Sequence, residues 1–245
     1  MYIENPKTKG SGVICAIPQE GTCPNECADC FFQSGRSYLE PLDENLPNMP
    51  SQEEASGRII RINDGNDSSV QKDLVITETQ QYADKFYNTA IPKDLGSFPG
   101  PVVLTLNPGE MTNLNFHKLY TDPFPDNLMF VRFRANTWNI WLLKKAIEYY
   151  THIDASRKIP VVVTFMAYYN ETIPKGHQRN YTYRKRTLNS YWVIHPNDCA
   201  SIMQEFWRDS YVYLCGKDAM TFSCQRCGNC IREYYNTKER MRNAV

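Results

Sequence analysis

No charge of either sign predominates in the sequence. Its 245 residues carry 27 Lys and Arg against 27 Asp and Glu, so no global field draws the chain to nucleic acid or anionic lipid, and any charged partner must be met locally. No apolar run approaches the roughly 20 residues that span a bilayer, and the opening MYIENPKTKG lacks the continuous apolar stretch of a secretory signal. These absences lead to the expectation of a soluble, cytoplasmic protein without a membrane partner. Internal repeats and low-complexity tracts are missing as well. With 42% hydrophobic and 22% charged residues, ordinary globular values, the composition argues against disorder, collagen-like repetition and coiled coil. The length suits one large α/β domain better than two complete small ones.

Cysteine, by contrast, is plentiful. A chain this long needs no disulfide staples, so its nine cysteines need another role, and metal or cluster ligation in a reducing compartment fits them. Six fall in two tight groups, Cys23, Cys27, Cys30 and Cys224, Cys227, Cys230, with Cys15, Cys199 and Cys215 as the remainder.

Short β-branched or aromatic runs at 12–17, 58–63, 102–106, 129–134, 160–165, 191–195 and 211–215 read as strands. Helix-period segments lie between several of them. The clearest covers 138–152, where Ile140, Leu143, Ile147 and Tyr150 share a face; Val75, Thr79, Tyr82 and Phe86 form a weaker stripe, and Asp198 is placed to cap a helix running to 208. Such alternation implies parallel strands joined by right-handed crossovers. Six or seven units predict an α/β fold, a partial (β/α) TIM-like barrel over 1–214 with its chemistry at the C-terminal strand ends. Residues 40–57 read as a surface loop and 170–189 as a polar excursion. Residues 215–245 read as a small Cys-rich, metal-binding segment ending in a charged helix from Arg232.

The segment GVICAIPQEGTCPNECADCFF sets C-x3-C-x2-C directly after the first predicted strand. A closed structural zinc site takes four protein ligands, whereas a cluster held by three cysteines leaves one iron open to an outside molecule. The segment resembles the radical S-adenosylmethionine superfamily, whose members carry this spacing in the loop after the first barrel strand. The resemblance implies that Cys23, Cys27 and Cys30 ligate a four-iron four-sulfur cluster and that S-adenosylmethionine chelates its open iron. It further implies an electron donor and reductive cleavage to methionine and a 5′-deoxyadenosyl radical, which abstracts a hydrogen from an unidentified substrate. Asp29 stands where the family often has an aromatic residue, with Phe31 and Phe32 following. A zinc ion shared with a further His or Cys is the alternative for these thiols, and Cys15, within the strand, reads as a small buried residue.

Members of that family receive the amino group of S-adenosylmethionine at a Gly- and acid-containing turn after the second strand. Two segments compete for this role. Asn63-Asp64-Gly65-Asn66-Asp67 ends the second predicted strand and is preferred for its distance from the cysteine loop; Asn107-Pro108-Gly109-Glu110 ends the third and is closer in its letters. An ammonium needs carbonyl or carboxylate acceptors, and glycine permits close backbone approach; either segment read alone is equally an ordinary turn. Arg132 and Arg134 alternate with apolar neighbours, so they share a face and suit a carboxylate, or else point outward to solvent. Asn136 and Thr164, near their strand ends, are candidates for the ribose or the carboxylate. His195 and Asn197 occupy an equivalent end, where a buried His195 bonded to a backbone carbonyl is the simpler reading.

The C-x2-C-x2-C of TFSCQRCGNCIREYY lacks a nearby fourth cysteine, and Cys215, closing the last predicted strand, is the candidate to complete it. The set resembles auxiliary iron–sulfur sites at the C-termini of some radical S-adenosylmethionine enzymes, with zinc the competitor. KGHQRNYTYRKR combines Lys175, Arg179, Arg184, Lys185 and Arg186 with Tyr181 and Tyr183, a pattern able to hold a nucleotide or nucleic acid as well as to form a solvated face. Two other functions fit the cysteines without radical chemistry, namely a zinc-dependent interaction module and an iron–sulfur electron carrier.

Overall fold

The computed structural model describes residues 1–27, 30, 32, 38–107, 124–152, 157–169, 173–185, 190–216 and 224–244. Seven parallel strands form one sheet, curled into a half-barrel. They are β1 (Val13–Ala16), β2 (Ile59–Ile62), β3 (Lys85–Thr89), β4 (Val102–Leu106), β5 (Leu128–Ala135), β6 (Val161–Phe165) and, after a two-stranded insertion, β9 (Val212–Leu214). Their spatial order follows the chain, β1-β2-β3-β4-β5-β6-β9. Between β6 and β9 lies an antiparallel hairpin of β7 (Tyr181–Arg184) and β8 (Tyr191–Ile194).

The period-2 alternation of each strand sorts residues onto two faces. The one-turn helices α1 (Leu42–Asn45) and α2 (Gln52–Ala55) precede β2. One face of the sheet carries Ile14, Ile60, Tyr87, Leu104, Val131, Phe133 and Val163, which pack with Val75 of α3 (Lys72–Glu78) and Leu142, Leu143 and Ala146 of α4 (Ile140–Ile147) in the principal core. This is the crossover-helix face expected of a parallel sheet. The opposite, inner face is apolar along the N-terminal strand halves, at Val13, Ile59, Phe86, Val103, Phe130 and Val162. It is covered by the last helix, α7 (Asn229–Asn243), through Cys230, Ile231 and Tyr234. Tyr234 also donates to Asp84 Oδ1 at 3.0 Å, and Arg240 Nε donates to the Asp126 carbonyl at 2.9 Å. Among its described residues the segment from Cys215 is therefore held to the sheet through α7.

Three elements differ from the sequence expectation. Phe86 completes no helix stripe: α3 stops at Glu78, where the Thr79 hydroxyl donates back to the Val75 carbonyl at 2.6 Å, a bond that competes with helix continuation. Phe86 instead lies in β3, facing away from Val75. The run at 191–195 is a strand, but its partner is the polar excursion, with Tyr183 opposite Trp192. The helix assigned to an Asp198 cap is α5 (Pro196–Gln204), whose N-cap is His195 with Pro196 at the first position; Asp198 lies in the first turn and accepts from Asn180 Nδ2 at 3.0 Å. No helix among the described residues is long and apolar enough to cross a membrane.

Candidate metal centres on the inner face of the sheet

Above its apolar floor the inner face turns polar. Alternation carries Cys15, Arg61, Asn88, Thr105, Arg132, Arg134 and Thr164 onto it, and neighbouring strands bring them together. Arg132 Nη1 donates to Asn88 Oδ1 at 3.1 Å, and Arg134 Nη1 donates to Asn107 Oδ1 at 3.0 Å. Arg134 is opposite Thr164 in the register.

The first cysteine group sits at the C-terminal end of β1. Cys23, Cys27 and Cys30 are all half-buried, and the Cys30 amide donates to the Cys27 carbonyl at 3.1 Å. Burial raises the Cys23 pKa, opposed by the backbone amides of Asn25 and Asp67 that face its sulfur. The loop is anchored by Phe32, which packs with Ile17, Leu39 and Leu46. The Phe32 ring occupies the space that a side chain at Gly65 would need, so the cysteine loop and the turn after β2 fit together only with glycine there. Asp29 and Phe31 lie outside the described residues.

The turn's own acids are engaged. Asp64 is ion-paired with Arg61 at 2.6 Å and bonded by Asn5 Nδ2. Asp67 is buried and accepts from the Ser69 amide at 2.8 Å, the Thr89 hydroxyl at 2.7 Å and the Ala90 amide at 2.7 Å, so it organises the turn. Asn66 Oδ1 accepts from the Asp67 amide at 2.8 Å. Two acceptors close by are unmet. Gln19 Nε2 donates to the carbonyls of Asp67 and Val70 at 2.9 and 3.0 Å, and Asn63 Nδ2 donates to Ser68 Oγ at 3.2 Å, yet Gln19 Oε1 and Asn63 Oδ1 are buried without a hydrogen-bond partner among the described residues. A buried unpaired carbonyl oxygen costs about 1–3 kcal/mol, and these two, one on the turn and one on the loop bonded to it, suit an incoming N–H donor. Gln19 carried no sequence signal.

The remaining candidates divide. Pro108, Gly109 and Glu110 lie outside the described residues. Asn136 is 1% exposed; its Oδ1 accepts from the Trp138 amide and its Nδ2 donates to the Tyr168 hydroxyl, both at 3.1 Å, so it closes the end of β5. Thr164 Oγ1 makes no ordinary hydrogen bond among the described residues and stands beside the Cys215 sulfur. His195 is exposed, its ring accepting from the Asn197 amide at 3.4 Å as a helix cap.

The second cysteine group is assembled from three elements. Cys215 follows β9, Cys224 and Cys227 bound the one-turn helix α6 (Cys224–Cys227), and Cys230 opens α7. Cys215 and Cys227, both free thiols, are neighbours, and the Gly216 amide donates to Cys227 Sγ at 3.3 Å. Gln225 ties α6 to the N-terminal arm through the Lys9 carbonyl at 2.7 Å. The neighbouring Cys227 thiol, with help from Arg132, Thr164 and Arg61, lowers the Cys215 pKa against the opposing effect of burial. Burial raises Cys224 and Cys230, while Arg61 and Arg132 pull Cys230 the other way. Burial and repulsion from Arg61 lower the Arg132 guanidinium. No protein-family model matches the chain, and no curated protein or solved structure matches it significantly.

The residues therefore make their own case. Among the described residues no three His, Cys, Asp or Glu side chains are arranged to hold a single metal ion. The donor chemistry nonetheless suits soft metals at both groups, since thiolates favour iron–sulfur clusters and zinc. Two guanidinium groups beside the second group, with Asp64 the acid paired to one of them, offset the negative charge that thiolate ligation confines in a poorly solvated place.

Proposed function

We propose that this chain is a radical S-adenosylmethionine enzyme, with Cys23, Cys27 and Cys30 holding a four-iron four-sulfur cluster. The observation that carries the reading is a set of three thiols, one short of a closed sphere, at the C-terminal end of β1 of a parallel half-barrel, locked against the turn after β2 by Phe32 on Gly65. When bound, the cluster and S-adenosylmethionine supply reductive cleavage of the sulfonium and a 5′-deoxyadenosyl radical for hydrogen abstraction.

The chain's own residues bind and orient. Gln19 Oε1 and Asn63 Oδ1 are the acceptors for the ammonium, a role the engaged Asp64 and Asp67 leave to them. Arg134, steadied by Asn107, is the cation for the carboxylate. Phe86, Val103 and Phe130 keep water from the floor of the inner face. Cys215, Cys224, Cys227 and Cys230 hold a second thiolate centre, iron–sulfur rather than zinc, which consecutive C-x2-C steps favour. Thiols kept for metal ligation favour a reducing compartment, which supports a cytoplasmic protein, and reductive cleavage calls for an electron donor as partner.

The test is anaerobic reconstitution with iron and sulfide, metal analysis, and measurement of 5′-deoxyadenosine from S-adenosylmethionine under strong reductant. Oxygen-sensitive iron is the expected result, with Cys27→Ala losing the first group's share of that iron together with the 5′-deoxyadenosine. Zinc at both groups returns the protein to an interaction module; iron without 5′-deoxyadenosine makes it an electron carrier.

A further inference from the structure

The β7–β8 hairpin belongs to neither cysteine group, and its composition departs from that of the whole chain. Between Glu171 and Asp198 the sequence contains no acid but has Lys175, Arg179, Arg184, Lys185 and Arg186, in a protein whose total charge is zero. Lys175, Arg179, Arg184 and Lys185 are exposed, and none is in an ion pair among the described residues.

The root of the hairpin is fixed to the C-terminal rim of the sheet. The Thr137 amide, just past β5, donates to the Tyr181 hydroxyl at 3.2 Å, and Tyr168 after β6 exchanges backbone bonds with Trp192 at 2.9 and 2.6 Å. Tyr181 and Ile194 are buried there. One step outward on the same face, Tyr183 is 50% exposed against Trp192, ring centres 5.1 Å apart. On the other face Arg184 stands opposite Tyr191, which lies 5.7 Å from Tyr169. Both faces of the outer end thus present aromatic rings beside cations.

We propose that this hairpin binds single-stranded nucleic acid at the rim of the half-barrel. Cations follow the phosphates, and rings at the spacing of a strand pair take unpaired bases by stacking. An anionic membrane would ask for a broad exposed apolar face to insert, of which the described hairpin residues supply only Tyr183, and an acidic peptide would leave the rings unused. That the bound strand is also the substrate rests on the preceding reading; that it binds does not.

The experiment measures fluorescence anisotropy of labelled oligo-dT and oligo-U with the full chain. Duplex DNA, phosphatidylserine vesicles, Tyr183→Ser and Arg184→Ala/Lys185→Ala serve as comparisons. Saturable single-strand binding is expected, the stronger oligonucleotide identifying DNA or RNA. With four phosphate contacts, affinity should fall about 50-fold between about 50 and 200 mM salt, and each variant should weaken binding about tenfold at unchanged Tm. The strand should also raise 5′-deoxyadenosine formation by the reconstituted wild type. No binding, variants that bind like wild type, or equal binding of duplex or vesicles overturns the proposal; binding without the rise in 5′-deoxyadenosine overturns its substrate half. Binding is read without S-adenosylmethionine and basal cleavage without oligonucleotide, so a failure of this proposal is distinguishable from a failure of the enzyme reading.

Discussion

The ring of Phe32 fills the space that a side chain at Gly65 would occupy, and this contact, beside the bond from Gln19 to the Asp67 carbonyl, joins the cysteine loop after β1 to the turn after β2. Gly65→Ala should therefore act on the first cysteine group from across the turn. Overpacking of this kind costs typically about 1–3 kcal/mol, and here the side chain that must give way is Phe32, two residues from Cys30. The expected outcome is a modest fall in Tm and a larger loss of metal from the first group, read by metal analysis after reconstitution. Phe32→Leu combined with Gly65→Ala should recover part of both. Metal content equal to wild type in Gly65→Ala would show that the loop is seated by something else.

Much of this arrangement was legible in the sequence, and the rest was hidden for identifiable reasons. The β-branched runs of β1, β2, β4, β5, β6 and β9 announced a parallel sheet because strands buried on both faces need continuous apolar residues. Lys85–Thr89 did not, because Phe86 continues the period of Val75, Thr79 and Tyr82, and only the bond from Thr79 to the Val75 carbonyl shows where the helix stops. Tyr191–Ile194 read as a strand, but strand character does not name a partner, and its partner was a polar run with no apolar signature. Asp64 and Asp67 were visible as acids on a turn, whereas their engagement by Arg61 and by Thr89 required the fold. Gln19 became a candidate only when its Oε1 was found buried and unmet. Arg61 had a signal that went unread, the same alternation with apolar neighbours that drew attention to Arg132.

Metal removal should separate two parts of the C-terminal segment. Cys215, Cys224, Cys227 and Cys230 come from three elements, and α6 between them holds to the rest of the chain through Gln225 and Lys9. Helix α7 has independent anchors in Tyr234, Arg240 and the apolar floor. Cys224→Ala/Cys227→Ala should lower iron from about eight to about four per chain if both groups hold cubane clusters. Amide exchange should then speed up through α6 while α7 stays protected. Release of α7 together with α6 would mean that the metal, and not the packing, holds the helix down.

Cysteine reactivity offers a simpler check. Cys15 and Cys199 are fully buried, and burial lifts both thiols, Cys199 to about 12 and Cys15 well above its ordinary value. Since the thiolate is the reacting species, these two should resist alkylation in the folded, metal-free protein near neutral pH. The other seven of the nine are half-buried. Burial raises Cys23, Cys224 and Cys230 as well, but their partial exposure lets a reagent reach the sulfur. The seven should therefore be modified more slowly than an exposed thiol yet ahead of Cys15 and Cys199, a count obtained by intact-mass spectrometry. Loading both metal groups should protect those seven too, and denaturation should expose all nine. Early labelling of Cys15 would contradict its placement inside β1.

Alkaline pH should unfold the protein through its tyrosines. Tyr2, Tyr38, Tyr82, Tyr87, Tyr181, Tyr213 and Tyr234 all have raised pKa values with burial the leading cause. Tyr82, whose hydroxyl donates to the Pro50 carbonyl at 2.6 Å, rises from 10.0 to about 12. A phenol that ionises later in the folded chain keeps its proton where the unfolded chain has lost it. Its contribution to stability is thus fully present below pH 10.0 and is lost as pH rises through about 12. The expected record is a tyrosinate absorbance that lags behind that of the denatured chain and then completes in one step with the loss of far-ultraviolet circular dichroism. Tyr82→Phe removes one such proton and should move that step to higher pH, after allowance for the lost hydrogen bond to Pro50, whereas a smooth titration matching the denatured chain would show that these phenols are not buried.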